Sequence, residues 1–289
     1  MDAVLQFFLE RIRSPFILDW VLWVLPQRSL IRLCHRLKGQ DNSIGSWVMK
    51  LSENVAIKYG PALFPSQAAT QAYAYRHTDP SIVRVPRVYR YVQDKSDIYW
   101  RTVGYLFMEY IPGRTLDSID LDANAAQDMA NRIANIVTHL QEIKGTDVPP
   151  GPIGGGKPQG YLWGEDGAKV RFGSLSDVNL WINKRLVLIN KAIDLTPYPL
   201  VFCHMDLARR NIILTENGSI CLLDWDYAGF FPRFYEVAAT LCFNDGHNYH
   251  VYPACLRKAV DDVIHLTDEE KQCVDLLMRA RGASLRWQL

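Results

Sequence analysis

Residues His204–Asn211 read HMDLARRN: a histidine, an aspartate and, five positions after the aspartate, an asparagine. The apolar run PLVFC (199–203) precedes them, and IILTENGSICLLDWD (212–226) follows. Asn217-Gly218 is the strongest hairpin signal in the chain, because both central positions of a two-residue turn take φ > 0. Centred there, the strands pair Leu214 with Cys221, Ile213 with Leu222, Ile212 with Leu223 and Asn211 with Asp224. Directly paired residues hold their Cβ atoms roughly 5 Å apart, so a carboxamide and a carboxylate meet at the open end of the hairpin. Few hard oxygen ligands, with room left for water and phosphate, suit Mg²⁺. Asp206, on the loop entering the hairpin, is placed to accept a proton from an attacking hydroxyl. With a cation on a nucleotide, these parts make a phosphoryl-transfer constellation. Singly, each residue reads better as a strand-end cap or turn former; the joint spacing carries the argument.

The rest of the chain sets bounds. Its 289 residues suffice for one large domain or two lobes, and 48% apolar with 22% charged residues is a globular composition. A net charge of +1, from 32 basic and 31 acidic residues, argues against nucleic acid as a main partner. Six cysteines lie scattered without a Cys-x-x-Cys pair, which predicts reduced, buried thiols rather than disulfides or zinc. The segment VLQFFLERIRSPFILDWVLWVLP (4–26) is broken by Glu10, Arg11, Arg13 and Asp19. It is too short and too charged to span a bilayer. Amphipathic helices packed on the body are expected, a membrane-surface helix being the lesser reading, and the expected location is the cytoplasm.

Short strands are predicted at NVAIKY (54–59), RVPRVYRYV (84–92) and YLFMEYI (105–111), the last closed by Pro112-Gly113. From Asp122 the apolar period becomes helical through Met129, Ile133, Ile136, Val137, Leu140 and Ile143. A Pro/Gly-rich loop (149–167) follows, then a helix over 176–193 started by Ser176 or Asp177. Thr267-Asp-Glu-Glu270 is a capping-box signature for a last helix. The order is α+β, strand-rich in front and helical behind, with the boundary near 111–115.

HMDLARRN followed by LLDWD resembles the catalytic and metal-binding segments of the aminoglycoside phosphotransferase and choline kinase family, relatives of the protein kinases. Within it, the pattern most resembles a group of fungal phosphotransferase-like proteins. The resemblance runs from about residue 44 to about residue 241. It implies a bilobal protein-kinase-like fold, with residues 1–111 as a sheet-bearing N-lobe and 112–289 as a helical C-lobe. It further implies ATP and Mg²⁺ between the lobes and a small-molecule hydroxyl as acceptor. Asp206 matches the catalytic base, Asn211 and Asp224 the magnesium ligands, and Lys58 the strand lysine on the phosphates. Backbone groups near Glu109 and Ile111 match the adenine-binding linker, and His204 the motif's structural histidine. PRFYEVA (232–238) is similar to helices lining the small-molecule site. Departures from the pattern are specific. Gln67, or Gln71 in an alternative alignment, stands where a helix glutamate pairs with the lysine. Asp226 replaces the usual glycine, facing either the side of Asp224, as an extra ligand or a contact to a cationic acceptor, or solvent. Met205 replaces a small residue, and Gly45 alone represents the glycine loop. Arg210, like Arg209, could set a guanidinium on the transferring phosphoryl group or stand in solvent.

Three other motifs are set aside. GPIGGGKP (151–158) fits a phosphate-loop pattern, but a proline follows the lysine and no strand precedes it. A flexible loop near the acceptor is expected instead. His247 and His250 lack an acidic third ligand and read as surface loop. No Gly-x-Ser-x-Gly nucleophile turn occurs. A regulatory nucleotide-binding protein that kept the fold is the main rival, motivated by Gln67 and the thin glycine loop. A metal hydrolase using His204, Asp206, Asp224 and Asp226 is the third reading.

Overall fold

The computed structural model describes residues 7, 9, 11–12, 14–39, 43–45, 47–96, 102–164, 166–242 and 251–287. His247 and His250 lie outside them. In chain order, helices α1 (Pro15–Val24) and α2 (Gln27–Gly39) precede strands β1 (Ser43–Gly45), β2 (Val48–Lys50) and β3 (Val55–Gly60). Helix α3 (Pro65–His77) leads to β4 (Val88–Asp94), β5 (Val103–Glu109) and the short β6 (Arg114–Thr115). Helix α4 (Ala123–Glu142) and α5 (Leu175–Leu186) follow, then β7 (Leu200–Cys203), β8 (Ile212–Leu214), β9 (Ile220–Leu222) and β10 (Gly229–Pro232). Helices α6 (Phe234–Thr240), α7 (Val251–Ile264) and α8 (Asp268–Trp287) complete the described chain.

β1–β5 form one sheet in the order β1-β2-β3-β5-β4, every neighbour antiparallel. Period-2 alternation sends its side chains two ways. Ile57, Tyr105 and Phe107 pack against Leu18, Leu22, Leu30, Leu33 and Leu37 of α1 and α2. Leu106, with Met108 and Tyr91, instead joins Leu63 and Ala68 at the start of α3. The sheet is therefore covered on both faces, and Lys58, one position after Ile57, projects away from α1 and α2. The larger core gathers Ile133, Val137 and Leu140 of α4 with Tyr252, Leu256 and Val260 of α7 and Leu277 of α8. Ala74 at the end of α3, with Val83 and Val85, belongs to this core too, so α3 bridges the sheet and the helical part.

Caps fall mostly where the residues allow. Asp122 accepts from the Ala125 N–H at 2.8 Å, starting α4. Thr267 and Glu270 exchange the two bonds of a capping box before α8. Helix α5 starts earlier than expected: Ser174, not Ser176 or Asp177, is the cap, and Asp177 completes the box from the third position. Among the described residues, no helix is long and apolar enough to cross a membrane.

The hairpin departs from the expected register by one. Ile212 pairs with Leu222, Ile213 with Cys221 and Leu214 with Ile220. The Thr215 N–H donates to the Ser219 carbonyl at 3.0 Å, leaving residues 216–218 as a three-residue loop. Only Gly218 takes the left-handed conformation (φ 79°). Asn217 uses its side chain instead, accepting from the Thr215 hydroxyl and the Ser219 N–H. That local Asx bonding selects the longer loop over the two-residue turn. Asn211 thus lies opposite Leu223, whose N–H donates to its carbonyl at 2.8 Å, and not opposite Asp224.

Candidate active site

The loop between β7 and β8 begins at His204, which is fully buried. Its Nδ1 accepts from the Asp206 N–H at 3.2 Å, so the proton sits on Nε2 and is donated to the Leu223 carbonyl at 3.0 Å. Burial pushes the imidazole down to about 4 and keeps it neutral. The histidine is a spacer holding the loop against the end of β9. Met205 adopts φ 62°, a conformation that costs a side-chain-bearing residue roughly 1–2 kcal/mol. A carboxylate clamp compensates: Glu236 of α6 accepts from the His204 and Met205 N–H groups at 2.6 and 2.8 Å. Glu236 is buried, and that burial pushes its carboxyl up to about 7 against the pull of the two N–H donors.

The Asp206 side chain is buried at the mouth of this loop. Asn211 Nδ2 donates to its carboxylate at 2.8 Å and to its carbonyl at 3.0 Å. Arg210 Nη2 donates to both carboxylate oxygens, at 2.8 and 3.0 Å, and also to the Tyr161 hydroxyl at 2.9 Å. Burial raises the Asp206 carboxyl to about 6; Arg210 opposes that rise, and the neighbouring Asp224 charge adds to it. Arg210 therefore orients the candidate base. Its neighbour Arg209 turns inward and donates to the Leu116 and Ile119 carbonyls.

Asp224 follows β9 and takes φ 61°, which turns its side chain out of the strand direction. Lys58 Nζ donates to Asp224 Oδ1 at 2.8 Å and to Asp226 Oδ2 at 2.7 Å. Burial alone would lower the ammonium's pKa, but the Asp226 and Asp224 charges outweigh it and raise it. Burial acts upward on both acids. Lys58 nonetheless holds Asp224 below the usual carboxylate range, while Asp226 stays raised beside the Asp224 charge. The charge on Asp224 is also the one that adds to the upward push on Asp206. Asp226 thus lies with Asp224 on the side of the cleft, through the turn after β9 rather than through strand alternation.

Gln67 is not part of this cluster. Its Oε1 accepts from the Phe64 N–H at 2.8 Å and its Nε2 donates to the Ala62 carbonyl at 3.1 Å, so it boxes the start of α3. Gln71 donates to the Pro86 carbonyl at 2.9 Å. The expected amide partner of Lys58 is corrected by this: its partners are the two aspartates, because an amide three residues into a helix finds the free N-terminal N–H groups first. The Glu109 carboxylate is taken up by Arg84 at 2.9 Å and the Arg87 N–H at 3.2 Å. The Glu109 and Tyr110 N–H groups bond to the Arg87 and Asn54 carbonyls. Among the described residues the Ile111 N–H has no such partner. Gly45 lies at the β1–β2 turn, whose second strand pairs Val48 with Lys58.

Tyr161, Tyr227 and Glu236 were not singled out by sequence. Tyr161 and Tyr227 meet edge to face, centroids 5.4 Å apart, beside Asp206 and Arg210. Gly160 is the close-approach point, since an added Cβ would lie 2.6 Å from the Tyr227 ring. The 151–158 loop packs on α3 near its start, through Ile153 N–H to Thr70 Oγ1 at 3.0 Å, and forms no phosphate loop. Glu236 sat inside PRFYEVA, but its partner was invisible without the fold.

The sheet, the linker after β5 and the acid-bearing loops of the helical part form a protein-kinase-like architecture. The sequence profile of the phosphotransferase enzyme family (APH) matches residues 37–256, and the chain belongs to that family. In fold it is similar to the crystal structure of aminoglycoside phosphotransferase APH(4)-Ia, with TM-score 0.51 and 17% identity over 90% of this chain and 91% of that one. A thermostable mutant of that enzyme, in ternary complex with ADP and hygromycin B, gives TM-score 0.51 and 15% identity over 85% and 84% of the two chains. No curated protein matches the chain by sequence.

Proposed function

We propose that the chain transfers the γ-phosphoryl group of ATP to a hydroxyl of a small molecule. The observation that supports this most is the grouping of Asp206, bonded to Asn211, with the Lys58–Asp224–Asp226 cluster across the cleft. In this reading Asp206, oriented by Arg210, takes the proton of the acceptor hydroxyl. Lys58 exchanges part of its carboxylate contact for nucleotide phosphate oxygens, and the Ile111 N–H binds the adenine edge. Tyr161 and Tyr227 wall the acceptor side.

The donor set suits Mg²⁺. Asp224 and Asp226 supply carboxylate oxygens, and Asn211, whose Nδ2 is engaged by Asp206, keeps its carbonyl oxygen for ligation. Bound there, Mg²⁺ would neutralise charge on the phosphates.

A second reading has support from one observation: Gln67 is engaged at the α3 terminus, so no helix side chain backs Lys58 from that side. It makes the chain a nucleotide-binding protein without turnover. Melting shifts with ATP, with and without Mg²⁺, followed by ATP consumption over a panel of hydroxylated metabolites, separate the two. Asp206→Asn is expected to reduce transfer by about 10²–10⁴-fold while sparing nucleotide affinity. Loss of nucleotide affinity in a folded Asp206→Asn protein would contradict the role assigned to it.

A further inference from the structure

Helix α1 buries Leu18, Val21 and Leu22 against the sheet. Its other side exposes Phe16, Ile17, Trp20, Trp23 and Val24, with Trp20 64% and Trp23 73% accessible. Their spacing of i, i+1, i+4, i+7 and i+8 makes one continuous helical face. Two indoles and a phenyl ring on one face are far more than single exposed apolar residues, which need no account.

The next helix supplies charge. On α2, Leu30, Leu33, Cys34 and Leu37 are buried, and Arg28, Arg32 and Arg36 stand exposed along the opposite face. Residues 15–39 hold four arginines and lysines against one aspartate, in a chain whose net charge is only +1. That aspartate, Asp19, is paired with Arg87. Among the described residues, no carboxylate pairs with Arg28, Arg32 or Arg36. Arg28, Arg32 and His35 also line an open groove of about 1280 Å³ that Lys95 enters from the end of β4. Among the described residues that line it the one acid, Asp94, is taken up by His35 at 2.8 Å and by Ser96.

We propose that α1 and α2 dock the protein on an anionic phospholipid surface. Trp20 and Trp23 enter the interfacial layer, where indole rings are favoured. Arg28, Arg32 and Lys95 meet lipid phosphates. An isologous pairing of two copies would bring the same basic row towards its duplicate, which charge opposes and a negative surface favours. Because Lys58 projects from the opposite face of the sheet, docking leaves the cleft open to solution. The inference does not depend on the proposed phosphotransfer.

Sedimentation of the full chain with vesicles of phosphatidylcholine, and of phosphatidylcholine with one quarter phosphatidylserine, tests it. Binding at least tenfold tighter to the anionic vesicles, weakened by added salt, is expected. Trp20→Ser/Trp23→Ser should reduce partitioning at least tenfold. Arg28→Gln/Arg32→Gln should reduce it roughly fivefold per arginine, the usual contribution of a basic residue at such a surface. Both variants change exposed side chains and should melt as the parent does. Equal or absent sedimentation with both vesicle types, or unchanged binding by the variants, overturns the proposal. So does light scattering that shows a lipid-free dimer dissociated by Trp20→Ser/Trp23→Ser, which would assign the face to a second copy.

Discussion

Glu236 shows how a residue remote in sequence shapes the loop that carries Asp206. It bonds two consecutive backbone N–H groups, one of them on the left-handed Met205. Glu236→Ala would leave two buried donors unpaired, at about 1–3 kcal/mol each. A fall of about 2–5 kcal/mol in urea-unfolding free energy is expected, with a larger loss of transfer than of nucleotide affinity. The clamp also gives a pH signature. A folded-state carboxyl raised to about 7, against an ordinary glutamate near 4.3, favours the folded state below that lower value. This contribution is then lost as pH rises through about 7, about 4 kcal/mol in total. Glu236→Gln should remove that part of the slope between pH 4.5 and 7, as read from unfolding midpoints across pH. At this scale the sequence was partly readable. Asp206, Asn211 and Asp224 lie beside strand ends and Lys58 lies within β3, where polar side chains stand out against apolar runs. Tyr161, Tyr227 and Glu236 look like ordinary core or loop residues until the fold sets them beside Asp206 and Met205. Gln67 was misplaced because spacing identifies a helix position but not which backbone groups compete for its amide.

At the scale of elements, β3, β4 and β5 were legible as short apolar runs closed by turn residues, and α4 by its unbroken apolar period of 3.6, whereas β1 and β2, three residues each, are too short to carry a pattern. Where two local solutions share one sequence, pattern alone does not decide. Asn217-Gly218 permits both a two-residue and a three-residue loop, and the Asn217 side-chain bonds select the latter, moving the register by one. The site survives that slip because Asp224 reaches the cleft through its own left-handed backbone rather than by facing Asn211. Gly218 stands in open space at φ 79°, so Gly218→Ala meets conformational strain without a clash. A loss of roughly 1–2 kcal/mol in unfolding free energy is expected, largely recovered by Gly218→Asn. Nucleotide affinity should be unchanged, since the turn lies at the end of the hairpin away from Asp224.

For the whole molecule, Lys58 links the sheet to the hairpin of the helical part through two ion pairs. Lys58→Met would strand two half-buried carboxylates. It should weaken nucleotide binding and lower the melting temperature, and added Mg²⁺ should restore more of that loss than in the parent protein. Scanning fluorimetry with a magnesium titration reads both effects. The sheet that carries Lys58 is lined on its far side by α1 and α2, which begin ahead of the segment shared with the family. A chain trimmed to start at residue 40 would bare Met49, Ile57, Tyr105 and Phe107 to water. Shortening the protein to its common segment should yield an insoluble product, because those two helices act as the sheet's own floor.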